Sequence, residues 1–379
     1  MSVVQRAGAV QRAGVVRFSS RLHDERVASW LGIWLGVSFT IAFVTGLISH
    51  FMQHPPGWLM WPSRPVNLYR VTQGLHVIGG LATIPLLLAK LWTVYPKLLQ
   101  RPPIRSVGHA LERAFIFLLV GASLFQVVTG VLNIAYWYAF PFFFTTAHYW
   151  TAYILIGALL IHVANQWATT RHTVMKRPED GLNRRAFLAT VAAAGGAITV
   201  TTVGEAFPPL AQLAVLAPRR PGVGPQGLPV NRSAFAAGVT QANANDPAWR
   251  LRVTGRVQRE LSLSLSDLRA LPSRSVRLPI ACVEGWSAGA TWGGVRLRDL
   301  LHLAGVDPDA RVQLVSMEVA GLYKTSWVSP RHWHDPLTLL ALDVNGRPLD
   351  LDHGFPCRLI APNRPGVNQT KWVHRMVVA

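Results

Sequence analysis

The polarity pattern divides the chain into an apolar N-terminal part and a mixed C-terminal part. Four N-terminal stretches, at 27–49, 71–95, 114 to about 135, and 148–169, are long and almost free of charge. A helix of about 20 apolar residues crosses the hydrocarbon core of a bilayer, so we predict four membrane-spanning helices. A fifth apolar stretch, at 183–204, is richer in Ala, Gly and Thr.

The distribution of positive charge predicts the orientation of these helices. Segments 1–29, 96–113 and 170–185 hold five, four and five Lys and Arg residues, whereas 51–70 and 136–147 hold two and none. Cytoplasmic loops carry the excess of Lys and Arg, so the N-terminus and the basic loops are expected in the cytoplasm. The net charge of +19 therefore indicates membrane loops and not nucleic-acid binding. We predict a multi-pass protein of the inner (cytoplasmic) membrane, with its C-terminal part on the periplasmic, extracytoplasmic side.

The fifth apolar stretch begins with a twin arginine, Arg184 and Arg185, followed by Phe-Leu. One interpretation is a positively flanked fifth helix. The other is a twin-arginine export signal inside the chain, a route that carries folded, cofactor-loaded domains. Asn183 and Ala189 depart from the usual motif. A linker rich in Pro and Gly follows, so we expect domains at 1–175, 176–227 and 228–379.

Histidines lie at two depths of the predicted helices. His148 and His162 are fourteen residues apart, about 21 Å along one face of a helix. Ionisable side chains within a span indicate function, and this spacing suits two stacked b-haems with axial histidines. Second ligands from other helices would be His76 for the outer haem, with His50 and His54 as alternatives, and His23 for the inner haem.

The N-terminal part also resembles a known family. "VTGLIS", "RVTQGLHVIGG" and "HYWTAYILIGALLIHVANQW" are similar to the four-helix cytochrome b subunits of respiratory formate dehydrogenases and nickel–iron hydrogenases, the prokaryotic cytochrome b561-like group. The resemblance covers about residues 15–172. It implies an all-α transmembrane haem bundle, haem ligands at His23, His76, His148 and His162, and quinone exchange near one membrane face.

The C-terminal part alternates strand and helix patterns without the regular order of a Rossmann fold, so we predict an α+β domain. "WRLRVTGRV", "SVRLPIACV", "ARVQLVSMEV" and "FPCRLIAP" predict strands. "SLSDLRALP" predicts a helix capped by Ser264 or Ser266, and "VRLRDLLHLAGV" a helix that ends at Gly305. "VEGWSAGATWGGV" is expected to be an irregular turn.

Cys282 precedes this expected turn and is one of only two cysteines. It could be a packed apolar side chain, a redox thiol, or the thiolate ligand of a soft metal. Arg277 is close in sequence and would favour the thiolate. A disulfide with Cys357 is not expected. The residues alone leave the packed thiol and the metal ligand open.

The segments "IACVEGW" and "WGGVRLRDLL" resemble the molybdenum-ligand region of the sulfite oxidase-like molybdopterin family. "DPLTLLALDVNGRPLDLDHGFPCRLIAPNRPGVNQTKWV" is similar to the second half of that family, and the periplasmic methionine sulfoxide reductase catalytic subunit is the nearer type. The resemblance covers about residues 228–379. It implies Cys282 as the molybdenum ligand and cofactor contacts from Asn231, His353, Arg358 and Lys371, with Cys357 as a packing residue.

Together the two resemblances imply a fused membrane-bound molybdenum oxidoreductase. Quinol would reduce two b-haems, and electrons would pass to a molybdopterin centre that reduces an S-oxide or N-oxide. Methionine sulfoxide in proteins is one candidate substrate. One alternative is sulfite oxidation with electrons entering the quinone pool, although the arginine that often follows the ligand cysteine is absent from "CVEGW". Another is a haem-only electron carrier whose outer domain is a metal-free docking module.

Overall fold

The structure is a computed structural model. It describes residues 22–98, 104–175, 182–204, 206–217, 219–319, 321 and 323–379. Parts of the three basic segments counted above, at 1–21, 99–103 and 176–181, lie outside the described residues. The first predicted domain is therefore described from residue 22 onward.

Five long helices form the N-terminal part. They are α1 Glu25–Gln53, α2 Leu68–Leu98, α3 Val107–Ile134, α4 Phe144–Met175 and α5 Leu182–Val203. Each is long and apolar enough to cross a membrane. Many large apolar side chains on these helices are exposed, as expected of surfaces that face lipid. The chain is thus a multi-pass membrane protein, and each of the four predicted spans lies within or ends next to one of these helices.

Local hydrogen bonds satisfy polar groups in these apolar helices. Asp24 caps α1 by accepting from the amide of Arg26 at 2.6 Å, and Ser106 caps α3 by accepting from the amide of His109. Thr45 and Thr129 donate to carbonyls four residues earlier. Unsatisfied polar groups are costly in lipid, so these bonds suit helices inside a bilayer.

The first four helices pack around a small apolar centre. Leu35 and Phe39 of α1 meet Leu87 of α2, Ala122 of α3 and Leu155 of α4. Helix α5 packs along the outside of α2. Its Arg184 forms an ion pair with Asp24 at 2.9 Å, so the twin-arginine segment is joined to the start of α1.

The C-terminal domain contains ten strands and five short helices among the described residues. The strands are β1 Leu251–Gly255, β2 Leu261–Leu263, β3 Ser273–Ala281, β4 Ser287–Arg296, β5 Val312–Ser316, β6 Thr325–Val328, β7 Leu339–Val344, β8 Arg347–Pro348, β9 Arg358–Ile360 and β10 Val373–Val378. The helices are α6 Ala234–Ala237, α7 Gln241–Ala244, α8 Leu265–Ala270, α9 Leu297–Leu303 and α10 Pro330–Trp333. The predicted α+β class is confirmed.

The strands form two five-stranded sheets. One has the order β2-β1-β10-β5-β6, with β1 and β10 parallel. The other has the order β3-β4-β7-β8, with β9 paired to β7. A buried apolar core joins side chains of both sheets, for example Val253 and Met376 from the first with Leu340 and Leu359 from the second. Cys357 also packs there, fully buried, as predicted.

The predicted strands and helices are largely confirmed, with one clear error. Ser264, not Ser266, caps α8, and Gly305 follows α9 with φ +65°. The segment expected to be an irregular turn is instead mostly strand β4, which pairs with both β3 and β7. Its Gly and Ala residues allow close strand contacts, while Trp292 is buried, so a strand forms where the composition indicated a loop.

The C-terminal domain rests on the end of the bundle where α1 ends and α2 begins. Arg64, in the α1–α2 loop, forms an ion pair with Asp335 at 3.0 Å. Asn363 accepts from the amide of Tyr69 and donates to the carbonyl of Pro62. Asn368 donates to the carbonyl of Gln53 at 2.9 Å. The two parts are therefore held together by polar contacts that are buried or partly buried.

Candidate active site and membrane cavity

Strands β3 and β4 form a hairpin, and Cys282 lies at its tip. We call residues 282–286 the Cys282 hairpin tip. The amide of Cys282 donates to the carbonyl of Trp286 at 2.9 Å, and the amide of Gly285 donates to the carbonyl of Cys282 at 3.1 Å. Gly285 has φ +104°, a conformation that favours glycine. Cys282 is only 1% exposed and forms no disulfide with Cys357.

The electrostatic surroundings of Cys282 differ from those expected from the sequence. Burial raises the pKa of the Cys282 thiol well above its usual range, the charge of Glu284 raises it further, and Arg219 opposes the shift. Arg277, expected to favour the thiolate, is exposed on β3. The cation that acts on Cys282 comes from the linker after α5, because folding brings that distant segment to the hairpin tip.

Glu284 is a buried carboxylate beside the cysteine, and it was not identified as a site residue from the sequence. It accepts a hydrogen bond from the indole of Trp286 at 2.9 Å and forms an ion pair with Arg219 at 3.3 Å. Burial raises the pKa of Glu284, while Trp286 and Arg219 oppose that shift. An acidic side chain next to a cysteine in an apolar turn was the available sequence signal.

The structure brings five sequence-predicted residues into one cleft beside the hairpin tip. Its lining includes Asn231, Cys282, His353, Arg358 and Lys371. These residues come from the segment before α6, the hairpin tip, a short turn, β9 and the segment before β10. They are separated by up to 140 positions, so the common cleft depends on the fold and not on local sequence.

Arg358 is a fully buried cation in this cleft. Its Nη1 and Nη2 donate to the carbonyls of His353 at 3.0 Å and Gln369 at 3.2 Å, and its guanidinium lies over the Trp292 ring. Its Nε is buried and has no hydrogen-bond partner in the described structure. Burial lowers the pKa of Arg358 to about 9. A buried guanidinium with a free donor is suited to an anionic ligand.

Lys371 adds a second buried cation. Its Nζ donates to the carbonyls of Arg232 at 2.9 Å and Asp352 at 2.7 Å. Burial, together with the charge of the neighbouring Arg358, lowers the pKa of Lys371 to about 7. The Nε2 of His353 lies 2.6 Å from the carbonyl of Pro225, and burial lowers the pKa of His353 to about 4. The cleft therefore contains two buried cationic side chains, Arg358 and Lys371, whose charged forms a bound anion would stabilise.

A second cavity lies inside the helical bundle and contains two of the predicted haem ligands. His76 and His148 both line it, with ring centroids 6.0 Å apart. Their Nδ1 atoms lie 2.8 Å from the carbonyl of Ala42 and 2.9 Å from the hydroxyl of Thr129, respectively. Metal-binding histidines usually engage their other ring nitrogen in this way.

Glycines on the other two helices face these rings, and at Gly46 the absence of a side chain makes room for His76. A Cβ added at Gly46 of α1 would lie 2.8 Å from Cε1 of His76, and one at Gly130 of α3 would lie 3.6 Å from Cε1 of His148. All four helices thus contribute to the cavity. No group of three or more His, Cys, Asp or Glu side chains among the described residues could hold a bare metal ion, but axial haem ligation requires only two histidines.

The remaining histidines have separate positions. His23 precedes α1, stacks on Trp92 at 4.7 Å, and has its Nδ1 3.1 Å from the carbonyl of Thr93. His162 lies on α4, fourteen residues after His148. His50 lines the membrane cavity and stacks on Tyr149 at 3.6 Å, and His54 lies beside His50. The cavity therefore contains His148 and His76 and also His50, one of the two alternative outer ligands, and the rings of His76 and His148 are 6.0 Å apart.

Comparisons with known proteins agree with the C-terminal architecture. Residues 237–379 match the family described as the oxidoreductase molybdopterin binding domain. The chain is 34% identical over 163 residues to the mitochondrial sulfite oxidase of Drosophila melanogaster, a match that covers 36% of this chain and 28% of that protein.

Two bacterial relatives have similar identity. The "putative protein-methionine-sulfoxide reductase subunit" of Azospira oryzae is 35% identical over 131 residues, with 35% of this chain and 49% of that protein covered. An uncharacterized oxidoreductase of Bacillus subtilis is 34% identical over 129 residues, with 33% and 62% covered. The chain thus spans between 28% and 62% of the lengths of these three relatives. Residues 237–379 thus match the oxidoreductase molybdopterin binding domain, and in this chain they follow five apolar helices.

Proposed function

We propose that the chain is a membrane-bound molybdenum oxidoreductase that exchanges electrons between the quinone pool and an extracytoplasmic molybdopterin centre through b-haems. Its reaction is the reduction of an S-oxide or N-oxide. The observation that carries this proposal is the common cleft of Asn231, Cys282, His353, Arg358 and Lys371. Cys282, His353, Arg358 and Lys371 lie within residues 237–379, which match a molybdopterin binding domain, and Asn231 precedes that part.

The residues of the cleft fit the cofactor by charge and donor chemistry. Cys282 would be the thiolate ligand, and the free Nε of Arg358 with the Lys371 ammonium would bind the cofactor phosphate. Asn231 and His353 would contact the pterin. Molybdenum, when bound, supplies two-electron oxygen-atom transfer, while the protein supplies binding, orientation and tuning. Burial of the site excludes water around Cys282 and strengthens its charge interactions.

An outer b-haem would be held by His76 and His148, whose ring centroids lie 6.0 Å apart in the membrane cavity. The inner haem would use His162 and His23, as expected from the spacing of the histidines. Haem, when bound, supplies one-electron transfer across the membrane. The resemblance to cytochrome b subunits and the four-helix arrangement around His76 and His148 support this part of the proposal.

The reaction balances between quinol and an oxide. One quinol yields a quinone, two protons and two electrons, and one S-oxide takes up two electrons and two protons to give a sulfide and water. The relative described as a methionine sulfoxide reductase subunit supports this direction. Sulfite oxidation is the second candidate because other relatives are described as sulfite oxidases. In that case sulfite and water yield sulfate, two protons and two electrons, and the quinone takes up the electrons.

Metal content and transient kinetics test the proposal together. The purified chain should contain molybdenum and haem iron, and a quinol analogue should reduce the haems. Methionine sulfoxide should then reoxidise them, whereas sulfite should leave oxidised haems unchanged. Rapid haem reduction by sulfite would contradict the reductase proposal and favour the second candidate. Haem without molybdenum would favour an electron carrier with a metal-free docking domain.

The charge distribution and the five helices support placement of the C-terminal domain on the extracytoplasmic side of the inner membrane. The twin arginine at Arg184 and Arg185 would then act in export of the folded domain. Its position at the start of α5 is compatible with this role, because the domain follows the helix after a linker.

A further inference from the structure

The Cys282 hairpin tip touches α2 directly beside the membrane cavity. The side-chain amide of Gln73 donates to the carbonyl of Val283 at 2.8 Å. Gln73 is only 4% exposed, and Val283 lines the same cavity as His76 and His148. The residue that follows the cysteine therefore belongs to both sites.

Van der Waals packing reinforces this hydrogen bond. A Cβ added at Gly285 would lie 2.9 Å from Cγ1 of Val77, so the backbone of the hairpin tip is close against the helix. His76 and Val77 lie three and four positions after Gln73, so both are neighbours of Gln73 on one face of α2. A single helical turn thus holds His76 in the cavity and also contacts Val283 and Gly285 of the hairpin tip.

We propose that this turn of α2 is the electron-transfer bridge between the two redox sites, with Gln73 as the positioning residue that holds the Cys282 hairpin tip against it. The inference rests on the proposed function, since it requires both a haem at His76 and molybdenum at Cys282. In this proposal, electrons pass between the haem and the molybdenum through the contact of Gln73 with Val283. Covalent bonds from Cys282 to Val283, the hydrogen bond to Gln73 and the helical turn to His76 form one continuous connection.

The bridge serves either direction of the reaction. For oxide reduction, two single electrons cross from the haem side for each sulfide and water formed, and quinol is the reductant. For sulfite oxidation, two single electrons cross the other way and quinone is the oxidant. The inference therefore does not depend on which substrate is correct.

A Gln73→Met variant tests the bridge because Met keeps the length of the side chain and removes the donor. Arg331→Met is the matched control, since Arg331 donates to the carbonyl of Met60 across the same domain junction, away from the hairpin tip. Haem and molybdenum contents should equal those of the wild type in both variants. Electron exchange between haem and molybdenum, followed by stopped-flow haem absorbance after substrate is mixed in, should slow by roughly ten-fold in Gln73→Met alone.

Two measurements that do not depend on turnover complete the test. Hydrogen–deuterium exchange at residues 282–286 should increase in Gln73→Met and not in Arg331→Met. The haem-induced relaxation enhancement of the molybdenum EPR signal should weaken in the same variant. If Gln73→Met loses a cofactor, Val77→Ala replaces it, because that change removes packing against Gly285 and should also slow the exchange of electrons.

The outcomes separate the inference from the proposed function. Unchanged electron exchange in Gln73→Met and Val77→Ala, with both cofactors bound, would overturn the bridge and leave the proposed function intact. A wild-type chain without haem or without molybdenum would overturn both. Slower exchange in both variants, with Arg331→Met at the wild-type rate, supports the bridge.

Discussion

The chemistry of Cys282 depends on residues that lie far from it in sequence. Burial alone keeps a thiol protonated and inert, and here it raises the pKa of Cys282. Arg219, whose charge opposes this rise in pKa, lies in the linker. The two cationic side chains in the cleft are Arg358 and Lys371. The thiol packs in a buried apolar cluster and also lines the cleft with Arg358 and Lys371, so its role as a metal ligand stays a prediction.

Replacing the cysteine tests this directly. We expect Cys282→Ser to abolish molybdenum-dependent turnover, because a serine hydroxyl is a poor ligand for a soft metal. The haem absorbance spectrum should be unchanged, since His76 and His148 lie in the other cavity. Cys357→Ser is the matched control, as that thiol packs in the core between the sheets. Loss of the haem spectrum in Cys282→Ser would contradict the two-site description.

Lys371 gives a prediction about pH. Its folded-state pKa of about 7 is below the usual 10.5, so the unfolded state binds the extra proton between these values. Stability of the cofactor-free chain should therefore rise as the pH rises from 7 toward 10.5, where the buried amine is neutral in the folded state. Thermal unfolding at several pH values should show this rise in the wild type and a smaller one in Lys371→Met. An equal rise in stability with pH in the wild type and in Lys371→Met would show that Lys371 does not cause the rise.

At the scale of elements, sequence patterns predicted those parts of the fold that rest on local physics. Long uncharged stretches identified the five helices, and alternation and caps identified β1, β3 and α8. Strand β4 was missed because Gly, Ala and Trp together resemble a turn, while pairing with β3 and β7 decides its conformation. Asn231, Cys282, His353, Arg358 and Lys371 were found through family resemblance. The ion pair of Glu284 with Arg219 was not predicted, because it depends on tertiary structure.

Helix α1 provides a matched pair of positions for the membrane cavity. Gly46→Leu should displace His76, since even a Cβ there would lie 2.8 Å from the ring. We expect one of two haems to be lost, as measured by the pyridine haemochrome spectrum per chain. Gly36→Leu is the control, because nothing lies within 4 Å of a Cβ at that position. Full haem content in Gly46→Leu would mean that the cavity does not hold the outer haem.

The whole molecule joins an apolar bundle to a domain that the sequence could not orient relative to it. Periodicity and composition carry no information about which surface of a folded domain meets a helix end. The contact is decided by particular polar pairs, such as Asn363 with Pro62 and Tyr69, and Arg64 with Asp335. These contacts bring the Cys282 hairpin tip onto α2. The arrangement favours a role for the fusion in electron transfer over a simple membrane anchor.

The proposed orientation can be tested because both native cysteines are buried, at 1% and 0% exposure. A single introduced cysteine should therefore dominate labelling by a membrane-impermeant maleimide in intact spheroplasts. Phe235→Cys, at a position 94% exposed on the C-terminal domain, should label without permeabilisation if that domain is extracytoplasmic. Val107→Cys, at a position 80% exposed at the start of α3, should label only after permeabilisation, because the charge pattern predicts that this end is cytoplasmic. The reverse pattern would place the molybdopterin-binding domain in the cytoplasm and exclude a role for Arg184 and Arg185 in its export.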